Sequence, residues 1–177
     1  MYFVKSVEDF SEIRGLKKLN LDTFTDFRGD IWTTYTDCDF LPKFVQDKVS
    51  VSKKHVLRGL HGDSEIDKLI ICMHGRIQLA VLDLRKNSPT YGNAEMFDLS
   101  DESGVAIFVP SGCVNGHLCL SDKCIFFYKW SKIYSGPQNQ VTIKWNDPKL
   151  DLKWKIKKPI LSTRDKKHAI LSEGVVL

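Results

Sequence analysis

No apolar run in this chain approaches the roughly 20 residues needed to cross a bilayer. Nor does Met1-Tyr2-Phe3-Val4-Lys5-Ser6-Val7-Glu8-Asp9 show the basic start and apolar stretch of a secretory leader, so neither membrane nor export is expected and a cytoplasmic location is read. Cysteines are few: Cys38, Cys72, Cys113, Cys119 and Cys124 are odd in number and never spaced C-x-x-C, which speaks against a disulfide framework and fits reduced thiols packed as small apolar residues. Linkers, internal repeats and low-complexity segments are missing. Excess charge of one sign is also scarce. The formal net charge is +4, and the surplus falls mainly between Lys149 and Lys167 without the basic–aromatic interleaving of a single-strand binder, so nucleic acid is not an expected partner. A mild positive balance does suit a small phosphate-bearing substrate.

What is present is 177 residues, 42% hydrophobic and 11% aromatic, enough for one domain, residues 1–177, around one core. A short helix is predicted around Val7-Glu8-Asp9-Phe10-Ser11-Glu12-Ile13, ended near Gly15. Strands then dominate: Ile31–Thr36, Phe44–Gln46, Val49–Val51, Leu69–Met73, Ile77–Leu84, Val105–Val109, His117–Leu120 and Cys124–Trp130, all rich in β-branched and aromatic residues. Turn chemistry separates them at Arg28-Gly29-Asp30, His74-Gly75-Arg76, Asn87-Ser88-Pro89, Tyr91-Gly92-Asn93 and Pro110-Ser111-Gly112. A second short helix is predicted from Ser162 to Leu171, capped by Ser162 or Thr163. Many short strands with Gly or Pro turns imply an all-β sandwich or a barrel closed on itself, with short helices at the chain ends.

The chemistry centres on Val56-Leu57-Arg58-Gly59-Leu60-His61-Gly62-Asp63. Read as a strand, it alternates, with Arg58, Leu60 and Gly62 facing one way and Gly59 and His61 the other. Glycines beside His61 weaken a strand unless a ligand or backbone must come close. One histidine in an apolar run is more often core than catalyst, and Lys68, Tyr128 and Asp165 taken singly read as a surface lysine, a packed aromatic and a helix-start residue. Their joint occurrence is what carries weight.

Blocks from Phe24-Thr25-Asp26-Phe27-Arg28-Gly29 through Phe44-Val45-Gln46-Asp47, Ser52–His61, Asp67-Lys68-Leu69, Asp83–Gly92, Tyr128-Lys129 and Trp145-Asn146-Asp147 to Leu161-Ser162-Thr163-Arg164-Asp165 cover nearly the whole chain. In order and spacing they resemble the nucleotide-sugar 4-keto epimerases typified by dTDP-4-dehydrorhamnose 3,5-epimerase. The resemblance implies a cupin-type jelly roll that inverts C3, C5 or both in a nucleoside-diphosphate-linked 4-keto-6-deoxy sugar, without a cofactor. Both hydrogens lie α to the ketone, so one base can remove either as an enolate forms. By the same resemblance His61 is the base, Asp165 orients it, Lys68 supports the ketone oxygen and Tyr128 donates from the opposite face. Arg28, Arg58, Gln46 and Tyr134 would hold the diphosphate and Phe24 would stack near the base, with some of these supplied by a neighbouring subunit, which implies a homodimer.

This chain departs from the rhamnose-pathway pattern at Thr33, at Gly62-Asp63 and at Asn115-Gly116, where that pattern carries an acidic residue, an aromatic followed by glutamine, and His-Gly; by the same resemblance the first two positions line the nucleotide and sugar, and Asn115 is read as substrate-binding. The combination with His117 resembles epimerases of GDP-linked 4-keto-6-deoxy-heptoses in capsule synthesis, and the reading leans to GDP with dTDP as the alternative. Two other classes compete. A metal-dependent cupin would need a second His beside His61, and distant His74 or His117 make a poor metal set. A non-catalytic sugar-binding jelly roll would not need Lys68, Tyr128 and Asp165 together.

Overall fold

The computed structural model describes residues 3–167 and 174–177. Thirteen strands are present among these residues. They are β1 (Val4–Asp9), β2 (Lys17–Leu21), β3 (Thr23–Asp26), β4 (Gly29–Trp32), β5 (Gln46–Lys53), β6 (Leu57–Gly62) and β7 (Lys68–His74). Then come β8 (Arg76–Asp83), β9 (Ala94–Ser100), β10 (Val105–Val109), β11 (Cys113–Cys119), β12 (Lys123–Trp130) and β13 (Val141–Thr142), followed by one short helix, α1 (Thr163–Lys166). A six-stranded sheet runs β1-β2-β10-β7-β12-β5, a five-stranded sheet runs β13-β6-β11-β8-β9, and β3 and β4 pair as a separate hairpin. The fold is the expected all-β jelly-roll sandwich. Both sheets keep free edges, so the closed barrel among the expectations is not what forms.

The central strands are apolar in nearly every position because both faces are covered. Inward, Ile70, Cys72, Ile107 and Val109 of the six-stranded sheet meet Ile77, Leu79, Val81 and Phe97 of the other. The intervening residues face out: Leu69, Ile71, Ala106 and Phe108 lie under Tyr35, Phe40 and Phe44, while Ala80, Leu82 and Val114 lie under Ile143, Leu150 and Trp154. Covering both outer faces is what the two long non-strand segments do. It explains why Thr33–Thr36 does not extend β4: Tyr35 turns in, edge-to-face against Phe3 at 6.1 Å and Phe44 at 5.0 Å.

The predicted N-terminal helix is replaced by strand β1. Its Glu8 and Asp9 lie opposite Lys18 and Lys17 on β2 and pair with them, a cross-strand match that a helix would lose. Phe44 and Val45 precede β5, and the Val49–Val51 segment lies within it. The C-terminal helix covers Thr163–Lys166, with the Ser162 hydroxyl accepting from the Asp165 N–H as N-cap. The rest of its expected span, from His168, lies outside the described residues. All five cysteines are free thiols, and among the described residues no helix is long and apolar enough to cross a membrane.

Candidate active site

At one flank of the sandwich the core gives way to a cavity of about 260 Å³ between β6 and β11 on one wall and β5, β7 and β12 on the other. This is at the small end for ligand pockets, which suits one sugar ring with the rest of a nucleotide outside. His61, Lys68, Tyr128 and Asp165 all line it, as do Arg58, Asn115 and Tyr134.

Strand β6 does not keep the simple alternation expected of it. Its pairing with β11 runs Asn115↔His61 and then His117↔Arg58, so three steps on β6 answer two on β11. That irregularity puts Arg58 and His61 into the same cavity, correcting the prediction that they face opposite ways. Glycine is required here: Gly59 has φ +125°, and a Cβ on it would lie 2.4 Å from Gly116 Cα.

The His61 imidazole meets Asp165 across α1, with Nε2 2.5 Å from Oδ1. The other carboxylate oxygen accepts from Ser162 Oγ at 2.7 Å. Burial pushes the Asp165 carboxyl up, but the hydrogen bond and charge of His61, with Ser162 and the Gly59 N–H, outweigh it and hold the group below its ordinary range. Burial lowers the His61 pKa and Asp165 opposes this, leaving a net depression to which the charges of Arg164 and Lys68 add. The ring is therefore neutral, a free base, near pH 7.

Lys68 crosses from the six-stranded wall, its Nζ donating to Asn115 Oδ1 at 2.8 Å and to the His61 carbonyl at 3.3 Å. Burial brings its pKa down to about 8, partly offset by Asp63. Asp63, one of the departures noted in the sequence, accepts the N–H groups of Glu65 and Ile66 and so folds the loop that delivers Lys68. Tyr128 stands on β12 between Phe126 and Trp130, and burial raises its phenol, keeping it protonated.

Three expected binding residues lie elsewhere. Gln46 is not among the residues lining the cavity; its Oε1 accepts the Tyr134 N–H at 2.8 Å. Arg28 and Phe24 sit on the β3–β4 hairpin, away from this chain's cavity, with Arg28 paired to Asp26 and Phe24 63% exposed. Sequence reasoning gave no site role to Lys48, His117 or Arg164, which all line the cavity, although His117 stood in the motif with Asn115. Lys48 sits 3.7 Å over the Tyr134 ring and 4.4 Å over Trp130. Its signal was available: two residues beyond Gln46 on the same strand, it opposes Tyr128.

The chain is similar to known proteins along nearly its whole length. A family model described as dTDP-4-dehydrorhamnose 3,5-epimerase matches residues 11–173. The dTDP-4-dehydrorhamnose 3,5-epimerase of Methanothermobacter thermautotrophicus is 37% identical over 165 residues, covering 88% of this chain and 89% of the relative. The Salmonella typhimurium enzyme of the same name is 34% identical over 163 residues, covering 86% and 88%. Among solved structures, RmlC of Legionella pneumophila in complex with dTDP-4-keto-L-rhamnose superposes with a TM-score of 0.88 at 28% identity, covering 97% of each chain. NovW of Streptomyces spheroides, a 4-keto-6-deoxy sugar epimerase, gives 0.89 at 29%, covering 96% of this chain and 88% of its own. With nearly its whole length matched and its cavity lined by a histidine–carboxylate pair, a lysine and a tyrosine, the chain belongs to the dTDP-4-dehydrorhamnose 3,5-epimerase family and is an isomerase acting on a nucleotide sugar.

Proposed function

We propose that this chain inverts C3 and C5 of a dTDP-linked 4-keto-6-deoxy sugar. Motifs around Asn115 and His117 lean to a GDP-linked heptose; the names of the relatives turn the reading to dTDP. The observation that carries the chemistry is the placement of the His61–Asp165 pair on one wall of the cavity and Tyr128 on the other.

In this scheme the neutral His61 removes the proton α to the ketone, and Asp165 supports the imidazolium that forms. The electron pair moves onto the ketone oxygen as an enolate, where the Lys68 ammonium stabilises it. Tyr128 then gives its proton to the same carbon from the other face, inverting the centre, and solvent restores both residues. Arg58 suits phosphate oxygens, and Asn115 fixes Lys68.

A homodimer completes the reading. The β3–β4 hairpin exposes Phe24, Phe27 and Ile31 by 63%, 97% and 68% together with Arg28, a combination suited to packing on a second copy and reaching its nucleotide.

The test is incubation in D₂O with dTDP- and GDP-linked 4-keto-6-deoxy sugars, reading deuterium and configuration at each carbon by NMR. Inversion of the dTDP sugar is expected. Tyr128→Phe is expected to keep exchange through His61 while losing inversion; full inversion by this variant would show that another group is the acid. Turnover of the GDP sugar alone would return the nucleotide to GDP.

A further inference from the structure

Four buried side-chain atoms find no hydrogen-bond partner among the described residues: Ser50 Oγ, His117 Nε2, Trp130 Nε1 and an Arg164 guanidinium nitrogen. All four residues line the one cavity. Unmatched buried polar atoms oppose folding, so their concentration at a single place points to a ligand that supplies the partners.

Two of the four meet at one end. Ser50 lies opposite Phe126 in the β5–β12 register, and from the other sheet the His117 ring stacks on Phe126 with centroids 4.0 Å apart and planes 8° from parallel. His117 lies opposite Arg58 on β6, while Lys68 and Asn115 occupy the Trp130 end. His117 is 3% exposed. A phenylalanine there would stack equally well and leave no nitrogen unmatched, so packing alone does not account for the imidazole.

The chemistry of the pair narrows the ligand. Burial, then the charge of Arg58 and the neighbouring His61 wherever that ring is protonated, bring the His117 pKa down to about 3, so the His117 ring is neutral with one N–H and one bare nitrogen. The Ser50 hydroxyl likewise both donates and accepts. Such groups complement another hydroxyl. A phosphate, which only accepts and carries charge, is better met by Arg58 or Arg164.

We propose that Ser50 and His117 form a subsite for a hydroxyl group of the sugar, at the end of the cavity away from Lys68, and that this chain selects sugars bearing that hydroxyl over their deoxy counterparts. The assignment rests on reading the cavity as the sugar site of an epimerase.

Calorimetry separates the two. The probes are dTDP and dTDP-glucose, a nucleotide sugar without the ketone, bound to the full chain. His117→Phe is expected to weaken dTDP-glucose roughly tenfold, as for one lost hydrogen bond, to leave dTDP unchanged, and to keep or raise Tm. Ser50→Ala, a truncation that leaves the Phe126 stack alone, is expected to act in the same direction and decides the matter if the histidine variant fails to fold. Unchanged dTDP-glucose affinity in these variants, equal weakening of dTDP, or no binding of dTDP-glucose by the wild type would overturn the subsite. Loss of the epimerase reading would show separately, as absence of deuterium exchange by a wild type that still binds the sugar.

Discussion

His61 and Asp165, 104 positions apart in the chain, come within 2.5 Å because α1 presents its carboxylate to the open side of β6. The carboxylate is 97% buried on its side chain while the imidazole keeps 23% of its own exposed, so the pair is anchored at one end and open to the cavity at the other.

His61→Asn is expected to keep the fold and lower the rate by about 10²–10⁴, the contribution of a positioned general base. Asp165→Asn is expected to cost less, because the ring keeps a neighbour but loses support for its charged form. Solvent deuterium exchange at C3 and C5 checks both. Near-wild-type exchange by His61→Asn would remove the base assignment.

The pH profile of kcat/KM follows from two shifted groups. His61 must be neutral to act, and its pKa lies below the ordinary imidazole value, so activity is expected to rise through that lower range and hold at neutral pH. Lys68 must be charged, and its pKa of about 8 predicts a fall above that pH. Lys68→Arg, whose charge persists across the range, is expected to lose the alkaline limb along with some rate. An alkaline limb unchanged in this variant would assign it to another group.

Gly59→Ala is expected to destabilise by roughly 2–5 kcal/mol, since the methyl meets the Gly116 backbone and the φ of +125° is unfavourable for an L side chain. Urea unfolding measures it. A loss below 1 kcal/mol would mean that β6 and β11 can separate there at little cost.

If the hairpin reaches a second copy, Arg28→Ala is expected to weaken nucleotide binding although Arg28 lies outside its own chain's cavity, and mixing it with an inactive His61→Asn chain is expected to restore part of the activity. Light scattering checks the dimer directly. A monomer at micromolar concentration would confine Arg28 to its pairing with Asp26.

Most strands were legible in the sequence, since β7, β8, β10 and β12 are apolar runs bounded by turns. The β1 segment was not, because Val7, Phe10 and Ile13 are spaced like a helix face; what makes it a strand is charge pairing to β2, a partner that local pattern does not reveal. All four expected catalytic residues line one cavity, but β6, which carries His61, behaves differently from a regular strand, and its irregular register with β11 depends on residues more than 50 positions away. Lys48, His117 and Arg164 were given no role in the site for a related reason. Each looks ordinary in its own segment, and only the approach of two sheets and a helix makes them neighbours.

The proposed base, His61, hangs from the five-stranded sheet and the proposed acid, Tyr128, from the six-stranded one. The span across which a proton is taken and another returned is therefore set by the thickness of the sandwich, which Ile70, Leu79, Ile107 and their neighbours maintain. Trimming one of these side chains would let the walls settle toward each other. Such a substitution, made far from any reacting atom, would act as a change of gauge on the site, narrowing the cavity at the same time as it cost stability.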